Sequence, residues 1–381
     1  MIGVYIHFPW CLRKCPYCDF TSYATRQDDV PHEAFAGAVI RELERRLLAG
    51  DWTGSKLTVF VGGGTPSLWR PEALGRVLAR LRELGELVEV TVECNPSSLD
   101  ADGATRLAAA GVGRLSVGVQ SLEARHLAFL GRLHDGPGAL GALVAARAAA
   151  LRVSADLIAG MPGQTPAELE RDIDAVVEAG VEHLSVYTLT IEPGTPFGDL
   201  QRRRLLAAPS DDHLADLYEA ARAALASRGF EHYEVSNWGR HCLHNRVYWE
   251  GGQYLGLGPG AFGFHRTTGG GVRYRNTLDP ARYLSPSPPD DWRENLSAAD
   301  LVNEGVLLGL RLREGIDLAA LGARHGLDAI APRARAVERL CREGLLEREG
   351  TRLRIPEERW LLADRVIREL FVIGQGSNRG P

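Results

Sequence analysis

The sequence predicts an α/β protein: a partial (βα)6 TIM-like barrel followed by a smaller C-terminal helical, winged-helix-like domain. From the start of the chain to about residue 200, short apolar runs alternate with longer helical patterns, which is typical of repeated βα units around a parallel sheet. From about residue 297 onward, short helices precede a hairpin with its turn at Glu349 and Gly350. We predict three parts: the barrel in residues 1–205, a barrel extension and connector in 206–295, and the C-terminal domain in 296–381.

The apolar runs define six strands, which is fewer than the eight of a closed barrel. The predicted strands span residues 2–7, 57–61, 88–93, 114–119, 153–158 and 183–188. The predicted helices between them span residues 32–49, 71–84, 100–110, 121–130, 136–150 and 166–179. Several of these helices are expected to end at a left-handed glycine, namely Gly50, Gly85, Gly111 or Gly180.

Later elements are predicted from composition and capping. Residues 209–229 form an amphipathic helix with an acidic start, and residues 230–238 add an edge strand. Residues 265–295 are rich in Gly, Pro, Ser and Thr, which indicates loops and an interdomain connector. A winged-helix-like outline could indicate DNA binding, but acidic residues are interspersed, so we expect a docking surface or a lid on the barrel.

Composition bounds the classes of function. The 381 residues carry a net charge of −5 without a basic run, so we expect no nucleic-acid partner. No apolar run is long enough to span a membrane, and a strand directly after Met1 leaves no room for a signal peptide. We therefore expect a cytoplasmic protein whose six cysteines are reduced and do not form a disulfide framework.

Three of these cysteines follow the first strand directly. Cys11, Cys15 and Cys18 could hold one metal centre while a fourth coordination position stays open, whereas an electron-transfer iron–sulfur cluster usually takes four thiolates. The alternative is a closed zinc site, with His7 or Asp19 as its fourth ligand.

Other strands also deliver polar groups at their carboxyl ends, where reactive groups of such barrels collect. The second strand runs into a glycine turn whose backbone can approach a ligand closely. Carboxylates at the third and fifth strands are suited to hydroxyl groups or need a buried partner. The residues concerned are Gly62, Gly63, Gly64, Thr65 and Pro66 after strand two, Glu93 after strand three, Gln120 and Arg132 after strand four, Asp156 on strand five and Thr188 on strand six. Each has a structural alternative, as a turn cap, a solvated charge or a helix cap.

Taken together, Tyr5, the three cysteines and these strand ends resemble the radical S-adenosylmethionine (SAM) family. Within it, the chain is similar to the branch that contains oxygen-independent coproporphyrinogen III oxidase and a heme chaperone, over nearly its whole length. The resemblance implies a [4Fe-4S] cluster on Cys11, Cys15 and Cys18, with SAM on the remaining iron. It also implies electron transfer into the sulfonium, which gives methionine and a 5′-deoxyadenosyl radical. The implied SAM pocket comprises Tyr5, Gly63, Gly64, Thr65, Glu93, Gln120, Arg132 and Asp156, with Tyr17 over the cluster and Thr188 near the adenine.

Two features favour the chaperone over the oxidase. The oxidase pattern has a fourth cysteine where this chain has Phe20, and the oxidase carries an extension ahead of its first strand. Residues 244–249, His-Asn-Arg-Val-Tyr-Trp, match the chaperone motif His-Asn-x-x-Tyr-Trp. This likeness implies His244 as a candidate heme ligand beside the flat faces of Tyr248 and Trp249. Alternatively, His244 hydrogen-bonds within the core, and Cys242 or His241 is the ligand.

The expected function is therefore a chaperone that binds a [4Fe-4S] cluster, SAM and heme, and transfers heme to an acceptor protein. The alternatives are an oxygen-independent coproporphyrinogen III oxidase, which decarboxylates propionate side chains oxidatively, and a zinc-stabilised interaction module. Expected partners are the heme acceptor and a small electron donor such as flavodoxin or ferredoxin, with membrane association only through the acceptor. Whether the protein is an enzyme stays open, and no catalytic residue is predicted.

Overall fold

A computed structural model describes residues 1–48, 55–287 and 289–372. The last residue of the first predicted helix, its terminal Gly50, and parts of the second and third predicted domains lie outside the described residues.

Numbered along the chain, the helices and strands of the described residues alternate through the first half and give way to antiparallel strands and short helices in the second. The strands are β1 (Ile2–Phe8), β2 (Trp10–Cys11), β3 (Tyr23–Ala24), β4 (Ser55–Gly63), β5 (Gly85–Cys94), β6 (Arg114–Gln120), β7 (Arg152–Ala159), β8 (His183–Thr188), β9 (His232–Glu234), β10 (Asn237–Gly239), β11 (Tyr254–Leu257), β12 (Phe262–Thr267), β13 (Gly270–Asn276), β14 (Asp290–Ser297), β15 (Ile316–Asp317), β16 (Glu347–Glu349) and β17 (Arg352–Arg354). The helices are α1 (His32–Leu47), α2 (Pro71–Arg82), α3 (Ala101–Ala110), α4 (Ala124–Phe129), α5 (Gly136–Ala148), α6 (Pro166–Glu178), α7 (Pro196–Arg202), α8 (Asp211–Ser227), α9 (Leu243–Trp249), α10 (Pro280–Tyr283), α11 (Ala298–Gly309), α12 (Leu318–His325), α13 (Ala334–Arg342) and α14 (Ala363–Leu370).

The six predicted strands are β1, β4, β5, β6, β7 and β8, and they pair in that order, all parallel. Their apolar side chains, such as Val4, Val59 and Val92, are fully buried, as expected of a sheet covered by helices on one face and closed around an interior on the other. The prediction of a partial TIM-like barrel is confirmed. A seventh parallel strand, β11, was not predicted, and it pairs with the free side of β1.

The sheet continues antiparallel beyond both edges of the barrel. Beyond β11 come β12, β13 and β14, and beyond β8 come β10 and β9. The prediction that residues 265–295 form loops is therefore wrong where β12, β13 and β14 lie, whereas the described part of residues 277–289 contains only the short helix α10. Glycines of β12 and β13 are packing sites: a Cβ on Gly263 would lie 2.2 Å from the ring of Tyr274, and one on Gly271 would lie 2.5 Å from the ring of Phe264. They leave room for neighbouring aromatic rings within strands.

Helix ends follow the glycine rule in part. Gly111 and Gly180 have φ values of 100° and 86°, the left-handed conformation predicted for them. Gly85 does not end a helix, because it is the first residue of β5 and pairs with Ser55. The predicted edge strand at 230–238 is divided into β9 and β10, which pair antiparallel.

The C-terminal domain has its own hydrophobic core, which includes Val306, Leu340, Trp360 and Val366. It combines helices α11 to α14 with a three-stranded antiparallel sheet in the order β15, β17, β16. The predicted hairpin is formed by β16 and β17, with Gly350 at a φ of 60° in its turn. No helix in the described part of the chain is both long and apolar enough to cross a membrane.

Candidate functional site

The cysteine loop is fastened at both ends by a small parallel sheet. β2 pairs with β3, so that Cys11 lies opposite Ala24, and the Cys11 carbonyl accepts a hydrogen bond from the Thr25 amide at 2.8 Å. Inside the loop, the Cys18 amide donates to the Cys15 carbonyl at 3.2 Å. The loop is thus a turn with two anchored ends, held directly beyond the carboxyl end of β1.

Each cysteine sulfur has a polar side chain beside it. Thr65 donates to the Cys11 sulfur at 3.4 Å, and Ser22 lies 3.9 Å from the Cys18 sulfur. An Arg132 guanidinium nitrogen lies 3.8 Å from the Cys15 sulfur. Burial raises the pKa of Cys11 and of Cys18, while the hydrogen bonds from Thr65 and Ser22 oppose that effect. Soft sulfur ligands therefore meet donors that stabilise negative charge on them.

One cavity of about 930 Å³ lies inside the barrel and opens at the cysteine loop. All the residues predicted for the cluster and for SAM line it, and so does the heme candidate His244: Tyr5, Cys11, Cys15, Tyr17, Cys18, Gly63, Gly64, Thr65, Glu93, Gln120, Arg132, Asp156, Thr188 and His244. Trp249, Cys242 and His241, which were also predicted beside heme or as its ligand, do not line it. A shared cavity is what the carboxyl ends of parallel strands are expected to give.

The glycine turn after β4 brings backbone against the cysteine loop. The Gly64 amide donates to the Phe8 carbonyl at 2.7 Å, and the Thr65 amide donates to the Trp10 carbonyl at 2.8 Å. A Cβ on Gly64 would lie 2.6 Å from the Trp10 carbonyl oxygen, so only glycine fits. Gly63 has a φ of 114°, and a Cβ there would lie 2.6 Å from the ring of His7.

The two predicted carboxylates lie close together in the cavity wall. Glu93 accepts the Gly63 amide at 3.1 Å, and Asp156 accepts the Ser116 hydroxyl at 3.0 Å. Burial, with the nearby charge of Asp156 second, raises the pKa of Glu93 to about 7, and burial also raises the pKa of Asp156. These carboxyls therefore keep their protons more readily than exposed ones, and hydroxyl donors of a polar ligand would stabilise their charged forms.

Arg132 and Gln120 form the adjoining part of the wall, because Gln120 ends β6, which lies between β5 and β7. Arg132 donates to the Gly118 carbonyl at 2.9 Å, but its buried Nε has no hydrogen-bond partner among the described residues. Gln120 has a φ of 66°, which is a strained backbone for a residue with a side chain. Gly118 has no side chain there, and its missing Cβ would lie 2.8 Å from the Gln120 amide nitrogen.

Sequence reasoning missed the inner face of β6 as a unit. Arg114, Ser116, Gly118 and Gln120 all line the cavity, at every second position of the strand. The sequence does contain a signal for this face, because small and polar residues alternate with Leu115, Val117 and Val119 along the strand. Arg114 is buried and lies 3.2 Å from the ring of His183.

The residues present fit a cluster with SAM better than a zinc ion. Both ring nitrogens of His7 are occupied, by the Tyr5 hydroxyl at 2.9 Å and the Thr21 carbonyl at 2.7 Å, so His7 is not free to be a fourth ligand. Across residues 1–48, 55–287 and 289–372, no three His, Cys, Asp or Glu side chains are placed to hold a single ion. The unpartnered Arg132 Nε and the glycine turn beside the thiols suit the carboxylate and amino groups of an amino acid.

His244 is placed differently from the other predicted residues. It lies on α9 at the amino end of the barrel, where its Cε1 is 3.3 Å from the position a Gly3 Cβ would take. Its ring nitrogens are hydrogen-bonded to Thr58 at 3.0 Å and to Tyr248 at 3.0 Å, and the side chain is buried. This geometry favours the alternative in which His244 hydrogen-bonds within the core.

The two neighbouring candidates for a heme ligand are also engaged. Cys242 is fully buried, with its sulfur 3.5 Å from a Glu89 oxygen. His241 stacks on Tyr233 at 4.2 Å between ring centroids, and a ring nitrogen lies 3.2 Å from Arg246.

Comparisons with known proteins identify the family of this chain. The radical SAM superfamily profile matches residues 5–176, and the HemN C-terminal domain profile matches residues 296–362. The heme chaperone HemW of Mycobacterium tuberculosis is 42% identical over 97% of this chain and 94% of its own length. The heme chaperone HemW of Escherichia coli is 36% identical over 87% of this chain and 88% of its own length.

A solved structure extends the likeness to the whole fold. Coproporphyrinogen III oxidase (HemN) from Escherichia coli superposes with a TM-score of 0.79 over 97% of this chain and 90% of that chain, at 22% identity. That identity supports a shared fold, while the closer sequence relatives define the family. The chain therefore belongs to the radical SAM superfamily, in the coproporphyrinogen III oxidase-like family that includes the proteins called heme chaperone HemW.

Proposed function

We propose that this protein is a heme chaperone: it carries a [4Fe-4S] cluster and SAM in the barrel, binds heme as cargo and passes it to an acceptor protein. The observation that carries the barrel site is the convergence of three cysteines, two half-buried carboxylates and Arg132 on one cavity. The proposal of heme as cargo rests on relatives named heme chaperone that align over nearly the whole chain.

The proposed roles follow from what each side chain contacts. Cys11, Cys15 and Cys18 would hold the cluster, because their thiols lie in one anchored loop with donors beside them. When bound, such a cluster supplies one electron at low potential to SAM. Tyr17 would cover the loop, since it packs beside Phe197 and against the apolar cluster around Leu130.

The SAM pocket would use the remaining wall. Arg132 would pair with the carboxylate, and the glycine turn would admit the amino acid moiety. Glu93 would accept ribose hydroxyls, as acidic residues do at the strand ends of nucleotide folds. The residues that would complete the wall are Tyr5, Gly63, Gly64, Thr65, Gln120, Asp156 and Thr188.

The proposed partners are an acceptor protein for heme and a small electron donor such as flavodoxin or ferredoxin. All six cysteines are free, so we propose a reducing, cytoplasmic location.

Anaerobic reconstitution with iron and sulfide tests the cluster. We expect a brown protein with about four irons per chain. Cys11→Ala, Cys15→Ala and Cys18→Ala should each abolish the colour, whereas Cys341→Ala, in the C-terminal domain, should leave it unchanged. A colourless protein that retains zinc would support the interaction-module alternative.

Titration with ferric heme tests the cargo. We expect a Soret band that saturates as heme is added, and transfer of that heme to an added apo-hemoprotein. If no band develops, the chaperone proposal fails while the cluster assignment survives. Anaerobic turnover of coproporphyrinogen III would support the oxidase alternative, and we expect none.

A further inference from the structure

A second cavity of about 570 Å³ lies between the barrel and the C-terminal domain. We call it the interdomain cleft: it is bordered by the end of α9 at Trp249, by Phe264 and Arg266 of β12, and by helices α11 and α12. Its volume is in the range of small-molecule and cofactor pockets. None of the residues predicted to bind the cluster or SAM borders this cleft.

The cleft walls are apolar and partly aromatic. Leu301, Leu312 and Leu321 of the C-terminal half are buried side chains that border the cleft together with Trp249 and Phe264 of the barrel side, and Leu301 packs in one apolar cluster with Phe264. The indole Nε1 of Trp249 is buried without a hydrogen-bond acceptor among the described residues. Such walls suit a flat, apolar ligand.

Three of the carboxylates that border the cleft form ion pairs with arginines. Glu304 pairs with Arg273 at 2.6 Å, while Glu250 and Glu314 each pair with Arg246 at 2.9 Å. The remaining acidic residue, Asp317, caps α12. Among the described residues, Asp317 is therefore the one carboxylate of the cleft without an arginine partner, and its charge is stabilised by the Ala319 and Ala320 amides at the start of α12.

Three arginines at the same cleft have only carbonyl partners. Arg266 donates to the Gly251 carbonyl at 2.5 Å, Arg324 to the Glu250 carbonyl at 3.1 Å, and Arg352 to the Glu314 carbonyl at 3.2 Å. Within the described residues, none of the three forms an ion pair with a carboxylate. Because guanidinium groups pair carboxylates in a two-pronged way, these arginines can accept acidic side groups of a ligand.

His325 supplies a metal ligand at this position. It is the half-buried last residue of α12, and its ring has no hydrogen-bond partner among the described residues, in contrast to His244. Burial, with Arg266 and Arg324 next, lowers the pKa of His325. A neutral imidazole with a free nitrogen is the form that binds iron.

We propose that the interdomain cleft is the heme site: the macrocycle lies against Trp249 and Phe264, His325 binds the iron, and the arginines pair with the propionates. This inference rests on the proposed function, because it says where the cargo binds.

Heme titration of the full-length reconstituted protein tests this site. His325→Ala should raise the Kd for ferric heme about tenfold or more and shift the Soret band, because the axial ligand is lost. His213→Ala, which changes a histidine of α8 that borders neither cavity, is the matched control and should leave both unchanged.

The proposed pairing of the arginines with the propionates is tested by comparing heme with its dimethyl ester, in which the propionate charges are removed. Arg266→Gln combined with Arg324→Gln should raise the Kd for heme about tenfold. The same double variant should leave the weaker binding of heme dimethyl ester unchanged. Arg335→Gln, an exposed arginine of α13, should have no effect on either ligand.

The outcomes separate this inference from the proposed function. If the unmodified protein shows no Soret band, both fail. If it binds heme, and His325→Ala and the double arginine variant bind with the same Kd and spectrum, the heme chaperone proposal stands and the cleft is not its site. If His244→Ala alone removes the band from a folded protein, the ligand lies on α9 and this inference is overturned.

Discussion

At the residue scale, Glu93 shows how burial prepares a carboxyl group inside the barrel. Burial, with Asp156 second, raises its pKa from 4.5 to about 7, while unfolding returns it to its ordinary value. Between these two values the native state holds a proton that the unfolded state has lost. The contribution of Glu93 to stability is therefore present below about pH 4.5 and is lost as the pH rises to about 7.

Replacing Glu93 with glutamine should remove this pH dependence. In the apoprotein, we expect the free energy of unfolding of Glu93→Gln to equal that of the unmodified protein near pH 5. Near pH 8 we expect it to be higher by about 2 kcal/mol. Urea denaturation at both pH values measures the difference. Glu178→Gln, at an exposed position of α6, is the control: its free energy of unfolding should differ from that of the unmodified protein by the same small amount at both pH values. A pH-independent effect of Glu93→Gln would contradict the raised pKa.

Gly64 shows a different constraint on a single residue. Its absent side chain lets the turn after β4 contact the backbone that leads into Cys11, with the Trp10 carbonyl oxygen 2.6 Å from the position of a Cβ. Those neighbours are backbone atoms, so they cannot move aside cheaply.

We therefore expect Gly64→Ala to destabilise the protein by about 2 kcal/mol and to lower the iron bound per chain. Urea denaturation and iron analysis after reconstitution measure the two effects. Gly141→Ala is the matched control, because no heavy atom lies within 4 Å of its added Cβ on α5. That control should stabilise the helix by about 0.5–1 kcal/mol. Full iron content in Gly64→Ala would show that the turn does not position the cysteine loop.

At the scale of elements, α9 explains why a motif can be detected in sequence while its function cannot. The predicted motif faces two ways. His244 and Tyr248 line the barrel cavity, one helical turn apart, while Tyr248 and Trp249 border the interdomain cleft. The helix contacts β1 and β4 and closes the amino end of the barrel.

His244→Ala should therefore lower the stability of the protein and leave heme binding unchanged. Removing the ring takes a hydrogen-bond partner from Thr58 and from Tyr248 and leaves a void against Phe60, whose ring lies 5.3 Å from it. We expect a loss of about 3 kcal/mol by urea denaturation and an unchanged Soret band in the fraction that folds. A band that shifts without any loss of stability would instead make His244 the ligand.

The elements also show which parts of the fold could be predicted. Strands β1 and β4 to β8 were visible because each is a buried apolar run between helical patterns, and parallel pairing places their ends together. β11 was missed because Gly256 and Gly258 resemble turn residues. Instead they admit neighbouring backbone: a Cβ on Gly256 would lie 1.9 Å from the Phe262 carbonyl oxygen, and one on Gly258 would lie 2.3 Å from that of His7.

The two cavities differ in whether they could be predicted from the sequence. The barrel cavity could be predicted, because its three cysteines lie close together in the sequence and its other predicted residues lie at or near the ends of successive strands. The interdomain cleft could not, because Trp249, Arg266 and His325 come from separate elements whose meeting depends on how the C-terminal domain packs on the barrel. No spacing rule connects these residues along the chain.

At the scale of the whole molecule, the two cavities are neighbours with a common partition. Tyr248 and Tyr254 border both of them, with ring centroids 4.7 Å apart and nearly perpendicular planes. Within the part of the chain that the structure describes, these two tyrosines are the residues common to both linings. The cluster site and the proposed heme site are thus neighbours, but the side chains that would bind the cluster and those that would bind heme are different.

Removing the cluster should therefore leave heme binding intact. We expect the triple variant Cys11→Ala, Cys15→Ala, Cys18→Ala to lose its iron–sulfur absorption and to bind ferric heme with a Kd within about twofold of the unmodified protein. Conversely, His325→Ala should reconstitute with about four irons per chain. Absorption titration and iron analysis on the same preparations measure both. If the cysteine variant is folded but no longer gives a Soret band, heme uses the barrel cavity or requires the cluster, and the separation of the two sites by Tyr248 and Tyr254 has no functional meaning.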